Sequence, residues 1–244
     1  MRPAFATKDE ARTWVWDRLQ ADKAARFPFP PHGRIPNFAG AERAAERLME
    51  QPEIGRARRI KVNPDAAQRP VRQLALARGI TVFMPTPRLR GGFILLDPAR
   101  IPPGERARAA GLGAGMRWGR TVALRELPPM DAIVTGSVAV TPRGRRCGKG
   151  HGYGDLEYAI LRELGHAPVK VFTTVHPIQI VRDFPVDAHD LPVEVIVTPD
   201  EVLRVESPPP APNGIAWDRL APSAFDAMPI LAELRRALGR APSR

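Results

Sequence analysis

Apolar residues first recur at helical spacing: Ala11, Trp14, Val15 and Leu19 share one face of residues 8–24, with charges on the others. The following Phe-Pro-Phe-Pro-Pro-His-Gly-Arg-Ile-Pro-Asn-Phe stretch ends that pattern, because its prolines cannot sustain a helix interior. Ala41, Ala44, Ala45 and Leu48 predict a second helix over residues 40–49, and Lys61-Val62 a strand that Asn63-Pro64-Asp65 stops. Residues 71–78 read as a helix closed by Gly79. From there, strands at Ile80-Thr-Val-Phe-Met, Phe93-Ile-Leu-Leu and Ala132-Ile-Val-Thr lead to a helix over about 155–164, with Leu156, Ala159, Ile160 and Leu164 on one face. Further β-rich runs lie at 170–175, 178–181, 193–197 and 201–205. This alternation predicts an α/β fold in which helices cover both faces of a parallel or mixed sheet. Ser207-Pro-Pro-Pro-Ala-Pro reads as an extended connector before an amphipathic helix at 229–238. The expected organisation is therefore a domain over 1–206 and an appendage over 207–244.

Composition narrows the class. The 244 residues are 43% hydrophobic, enough for a core. They hold no run of about 18 apolar residues, and the N-terminus meets acidic residues too soon for a secretory signal. A cytoplasmic protein without membrane partners is the expectation. Cys147 is the sole cysteine, which excludes an intrachain disulfide and a multi-cysteine metal cluster. The net charge of +11 invites RNA. However, the arginines are spread along the chain, aromatic residues are only 6%, and no RNA-recognition signature occurs. An anionic small molecule is the favoured partner.

The richest stretch runs from Thr141 to Asp155 between a predicted strand and a helix. Gly144, Gly148, Gly150, Gly152 and Gly154 free its backbone to approach a ligand, and peptide N–H groups at such a turn suit phosphate. Arg143, Arg145, Arg146 and Lys149 add positive charge. Asp155 either caps the helix or faces a phosphate-bound metal ion. The spacing is not that of a P-loop, since only Arg145, Arg146 and Cys147 separate Gly144 from Gly148-Lys149, and Gly150 follows the lysine. The competing reading is a flexible surface loop. Arg146 and Lys149 beside Cys147 would favour its thiolate, but a passive apolar residue in the loop is the preferred reading. His176 and His189 lack partners at metal-ligand spacing. Trp14 and Trp16 face opposite sides of their helix.

The string Gly144-Arg-Arg-Cys-Gly-Lys-Gly-His-Gly-Tyr-Gly-Asp resembles the Gly-x-Arg-(apolar)-Gly-x-Gly-x-Gly-Tyr-Tyr-Asp signature of the 5-formyltetrahydrofolate cyclo-ligase family. Asp131-Ala-Ile-Val-Thr-Gly-Ser-Val-Ala-Val, Lys8 with Arg12, and Asp190-Leu-Pro-Val-Glu-Val-Ile-Val-Thr198 resemble its other conserved segments. Arg34-Ile-Pro-Asn-Phe-Ala-Gly-Ala, Lys61-Val-Asn-Pro-Asp and Thr173-Thr-Val-His-Pro-Ile-Gln are similar to a divergent branch described as methenyltetrahydrofolate synthase domain-containing.

The resemblance implies a three-layer α/β sandwich around a mostly parallel sheet, akin to the sugar-phosphate isomerase and CoA-transferase-like fold. It also implies ATP- and Mg-dependent conversion of 5-formyltetrahydrofolate to 5,10-methenyltetrahydrofolate, chemistry that rests on positioning and charge neutralisation. Lys8, Arg12, Arg146, Gly148, Gly150, Gly152 and Tyr153 would then surround the triphosphate, with Asp155 at the metal. Lys149 joins them from its place in the loop. Two departures stand out: Gly154 replaces the signature's second tyrosine, and Asp65 lies where the family has a pterin-recognising glutamate. A non-catalytic protein of the same fold, binding a nucleotide or RNA, is the alternative.

Overall fold

The computed structural model describes residues 2–220 and 222–239. Helix α1 (Lys8–Ala21) opens with a capping box in which Thr7 and Glu10 satisfy each other's backbone N–H groups. After it come β1 (Ala25–Arg26), β2 (Asn37–Phe38), α2 (Ala41–Met49), α3 (Pro52–Gly55), β3 (Arg59–Val62), α4 (Arg69–Ala77), β4 (Thr81–Pro85) and β5 (Phe93–Leu96). The chain continues through α5 (Arg106–Ala109), α6 (Leu112–Trp118), β6 (Arg120–Val122), β7 (Ala132–Val134), β8 (Ala139–Val140) and β9 (Arg146–Cys147). It closes with α7 (Tyr153–Glu163), β10 (Val171–Thr174), β11 (Val195–Val197), β12 (Val202–Arg204), α8 (Pro222–Ala227) and α9 (Ile230–Ala237).

Eight strands form the central sheet in the order β12-β11-β10-β7-β3-β4-β5-β6. The middle strands β11, β10, β7, β3 and β4 pair in parallel, while β12 at one edge and β5 and β6 at the other are antiparallel. Short apolar runs suit this position because a parallel strand is covered on both faces. Successive side chains alternate between the faces. On one face Ile60, Val62, Val82 and Val134 pack with Leu48 of α2 and Val71 and Leu76 of α4. On the other, Phe83, Ile133 and Ile196 pack with Ile160 and Leu161 of α7 and with Leu231 and Leu234 of α9. A third apolar cluster joins α1, through Ala11, Val15 and Leu19, to Val138, Cys147 and Phe184. The α/β sandwich expected from the alternation is present.

Several local expectations change. Residues 178–181 are not a strand: Pro177–Gln179 forms a 3₁₀ turn, with Pro177 at its first position and His176 as its cap. Helix α7 starts at Tyr153 rather than 155, because Gly152 takes the left-handed conformation at φ 67° and no side chain caps the helix. The glycine stretch divides in two. Its first half is the tight β8–β9 hairpin, where Gly144 (φ 80°) lies so close to residue 193 that a Cβ would sit 2.4 Å from the Val193 carbonyl. The second half, 148–152, is the turn that leads into α7. Helices α5 and α6 and strand β6 escape a periodicity reading because Gly111, Gly113, Gly115 and Gly119 dilute the apolar pattern. Trp14 and Trp16 are both half-buried rather than split between core and surface. In the tail, Ile230, Leu231 and Leu234 are buried in the α7-side core, roughly 1.5–3 kcal/mol each by area burial. Residues 240–244 of the expected appendage lie outside the described residues.

Candidate functional site

A cavity of about 370 Å³ opens beyond the carboxyl ends of the parallel strands, where open α/β sheets place their ligands. Asn63, Pro64 and Asp65 follow β3, Thr86 and Pro87 follow β4, and Gly136 follows β7. The facing wall comes from Arg146, Gly148, Lys149, the turn residues His151 and Gly152, and the start of α7 from Tyr153 to Asp155, with Glu157 one turn in. The first N–H groups of α7 have no intrahelical acceptor and carry the positive end of its dipole. His151 and Tyr153 stack with their planes 6° apart on this wall.

Two buried arginines shape the walls. Arg72, from α4, is 1% exposed. It donates to the carbonyls of Asn63, Pro64 and Asp65 in succession, and through Nε to Ala110 at 2.7 Å, so the turn after β3 is held by one guanidinium. Burial lowers the pKa of Arg72 to about 10. Arg146, 3% exposed, uses Nε on the Leu191 carbonyl (3.1 Å), Nη1 on the Gly136 carbonyl (2.9 Å) and Nη2 on Asp155 (2.5 Å). Each nitrogen of Arg146 therefore donates one hydrogen bond within the protein. Asp155 Oδ1 also accepts the Leu191 N–H at 2.8 Å. The aspartate thus ties α7 to residue 191 instead of capping its own helix.

Behind the cavity lies a buried polar triad. Lys61 Nζ pairs with Glu157 Oε2 and donates to Asn63 Oδ1 at 3.0 Å. Asn63 Nδ2 donates to the same Glu157 Oε2 at 3.1 Å. Burial pushes the Glu157 carboxyl above the usual carboxylate range, against the pull of Lys61.

Of the residues singled out in the sequence, Arg146, Gly148, Lys149, Gly152, Tyr153, Asp65 and Asp155 line the cavity, and Lys8, Arg12 and Gly150 do not. Lys149 Nζ is 3.7 Å from Asp65 Oδ1 and about a third exposed, a loose pairing. Arg12 supports the turn from beneath, donating through Nε to the Gly148 carbonyl at 2.7 Å. A Cβ at Gly150 would sit 3.7 Å from the Arg12 guanidinium carbon. Lys8 is drawn away to Asp187 (2.7 Å) and Asp190 (2.5 Å). Burial pulls its ammonium down, but the two carboxylates outweigh that and hold its pKa above the ordinary lysine value.

His189 joins Asp187 and Asp190 in a cluster that could hold a metal ion, and the Lys8 ammonium faces both of its carboxylates. Cys147 is the passive apolar residue expected, buried in the α1-side cluster, where burial pushes the thiol up against the pull of Arg12 and Arg146. Arg72 and Glu157 were not legible as site residues. Arg72 reads as one arginine among many. Glu157 did leave a signal, since it falls on the apolar stripe of α7, four residues after Tyr153 and three before Ile160.

Residues 6–199 match the family described as the 5-formyltetrahydrofolate cyclo-ligase family. The methenyltetrahydrofolate synthase domain-containing protein of Bos taurus is 41% identical over 241 residues, covering 95% of this chain and 63% of that protein. That of Homo sapiens is 36% identical over 243 residues, again covering 63% of its length. The chain thus spans somewhat less than two thirds of the curated relatives it matches. Among solved structures, the 5,10-methenyltetrahydrofolate synthetase of Aquifex aeolicus superposes with a TM-score of 0.52 at 19% identity, covering 83% of this chain and 95% of the other. At that identity the likeness is one of fold. No helix among the described residues is long and apolar enough to cross a membrane.

Proposed function

The chain belongs to the 5-formyltetrahydrofolate cyclo-ligase family, and from that premise we propose that it is an ATP- and magnesium-dependent ligase forming 5,10-methenyltetrahydrofolate from 5-formyltetrahydrofolate. The observation that supports the reading is what meets at the mouth of α7. There the uncapped helix start, the 148–152 turn and the loosely paired Lys149 line one cavity. Backbone N–H groups and the helix dipole favour phosphate there, and Lys149 adds a mobile point charge.

The carboxylates suit magnesium. Asp155 takes both its protein partners on Oδ1, which leaves Oδ2 without a donor among the described residues. Asp65 lines the same cavity, and hard oxygen donors of this kind are what the ion prefers. When bound, the ion would neutralise charge on the transferring phosphoryl group.

In the family reaction the formyl oxygen takes the γ-phosphoryl group of ATP, releasing ADP. N10 then attacks the formyl carbon, loses its proton, and the oxygen leaves as phosphate. The chain's own part is to hold the phosphates against the 148–152 turn, to present the folate to them, and to keep water out of the cavity. Arg146 has a positioning role in this scheme: by tying Asp155 to residues 136 and 191 it fixes the start of α7.

A spectrophotometric assay of methenyltetrahydrofolate formation, run beside Lys149→Ala, tests the reading. Turnover in the parent that falls about a hundredfold in the variant, at an unchanged melting temperature, is the expected result. A parent that binds ATP without turnover would refute the ligase and leave nucleotide or RNA binding in its place.

A further inference from the structure

An ion pair interrupts the apolar layer between the sheet and α7. Lys61 stands on β3 with Ile133 and Phe83 as its register neighbours on the flanking strands, both of them core residues. Glu157 meets it from α7, 4% exposed. A pair buried like this stabilises a fold no better than two well-packed apolar residues of similar volume. Stability therefore does not account for it.

The hydrogen-bond geometry is one-sided. Lys61 and Asn63 both reach Oε2 of Glu157, and Oε1 receives no hydrogen bond from any described residue. Glu157 nevertheless lines the cavity. A second polar atom nearby is also unsatisfied: the Thr135 hydroxyl, on a side chain with no exposure, has no partner. It would lie 3.4 Å from a Cβ at Gly154, another cavity residue.

We infer that Glu157 Oε1 accepts the amino N–H of a pterin ring, with Lys61 and Asn63 bracing the carboxylate from behind. With Lys61 Nζ and Asn63 Nδ2 both donating to Oε2, the Lys61 ammonium holds Glu157 as an acceptor, so the partner of Oε1 must be a donor. Lys61 already balances the charge, which makes a neutral N–H a better partner than a second cation. A phosphate is excluded from this end by the carboxylate and belongs at the mouth of α7, beside Lys149. The flat His151–Tyr153 stack provides a wall for a planar ring. The inference rests on the folate reading and adds to it a recognition group contributed by α7, where Asp65 and its turn are held by Arg72.

The test compares binding of pterin with that of lumazine, which carries an oxo group in place of the 2-amino group. Both are titrated against the parent and against Lys61→Met/Glu157→Leu, a double change that removes the charges together and so spares the fold. The parent is expected to prefer pterin by about tenfold or more, since a site built around a ligand N–H rejects the analogue lacking it. In the folded double variant the ratio should fall to about one, with ATP binding retained. Equal affinities in the parent overturn the inference whether or not the variant folds, and a preference that survives in the folded variant overturns it too. A parallel comparison of adenosine with inosine closes the remaining route: amino-dependent discrimination there, and not with pterin, overturns the assignment in favour of the nucleotide's ring. Failure of turnover with pterin discrimination intact would sink the ligase reading and leave this site standing.

Discussion

Replacing Arg146 by Met separates two roles that the residue type alone cannot. A basic side chain in a glycine-rich stretch invites assignment as a phosphate ligand. In the fold its nitrogens reach the carbonyls of Leu191 and Gly136 and the Asp155 carboxylate. Hydrogen bonds to a charged group contribute about 1.5–3 kcal/mol each. Removing one partner of a buried ion pair costs about 3–5 kcal/mol. These terms share atoms and do not add. A loss of about 5 kcal/mol is expected, a large part of the roughly 5–15 kcal/mol that holds a domain together. For a chain of this size that corresponds to a fall of about 10–20 °C in melting temperature. Thermal and urea unfolding of the ligand-free protein, followed by far-ultraviolet circular dichroism, reads it directly. Arg146→Lys should recover little, because an ammonium cannot serve the divergent acceptors of a planar guanidinium. A fall below about 3 °C in Arg146→Met, accompanied by loss of ATP affinity, would refute the clamp and make Arg146 a ligand contact.

Arg72→Met should cost about 3 kcal/mol or more, because it leaves the carbonyls of Asn63, Pro64, Asp65 and Ala110 without their buried donor; a melting temperature within about 3 °C of the parent would contradict this. Burial pulls the His176 imidazole below its ordinary value, and its Nδ1 accepts the Ile178 N–H at 3.2 Å, so the neutral ring is the stabilising form. That contribution is complete above the ordinary histidine value of 6.5 and is lost as pH falls from there through the lowered value in the fold. Its size is about 1 kcal/mol, that of one capping bond. Urea midpoints at about pH 7.5 and about pH 5 should therefore diverge less in His176→Asn than in the parent, and an equal divergence rules the histidine out. The Arg204 hydrogen bond holds Glu53 down to about 2 from the ordinary glutamate value of 4.5, so the pair's contribution is full above 4.5 and disappears as pH falls to about 2. Both side chains are partly solvent-exposed, which limits the effect to about 1 kcal/mol or less; Arg204→Ala should flatten the acid limb of the stability curve by that amount, and an unchanged limb would count against the pair.

Much of the architecture is written in the sequence alone. Short apolar runs alternating with amphipathic stretches mark a sheet covered on both faces, and β3, β4, β5 and β7 fall where those runs do. Helix α9 appears at its expected place because Ile230, Leu231 and Leu234 repeat at helical spacing. The 178–181 run misled because β-branched composition says nothing of a preceding proline that starts a 3₁₀ turn. The glycine stretch was correctly placed between strand and helix, but its division into a hairpin and a ligand-facing turn depends on a chain approach at residue 193, remote in sequence.

What the sequence by itself determined was therefore local: which segments are apolar on one side, where the backbone can turn, and that a helix begins beside a basic, glycine-rich turn. Those properties follow from side-chain periodicity and φ/ψ freedom, which need no distant partner. The tertiary structure alone decided which cations are spent. Arg146 is consumed by carbonyls up to 45 positions away, Lys8 by carboxylates near residue 190, and Arg72 by the turn after β3, while Lys149 keeps only a loose partner. It also brought Asn63 to Glu157 across 94 positions, at the lining of the cavity, and left one oxygen of that carboxylate without a donor among the described residues. Charge and burial are relations between residues, and a linear order of residue types does not contain the distances that settle them.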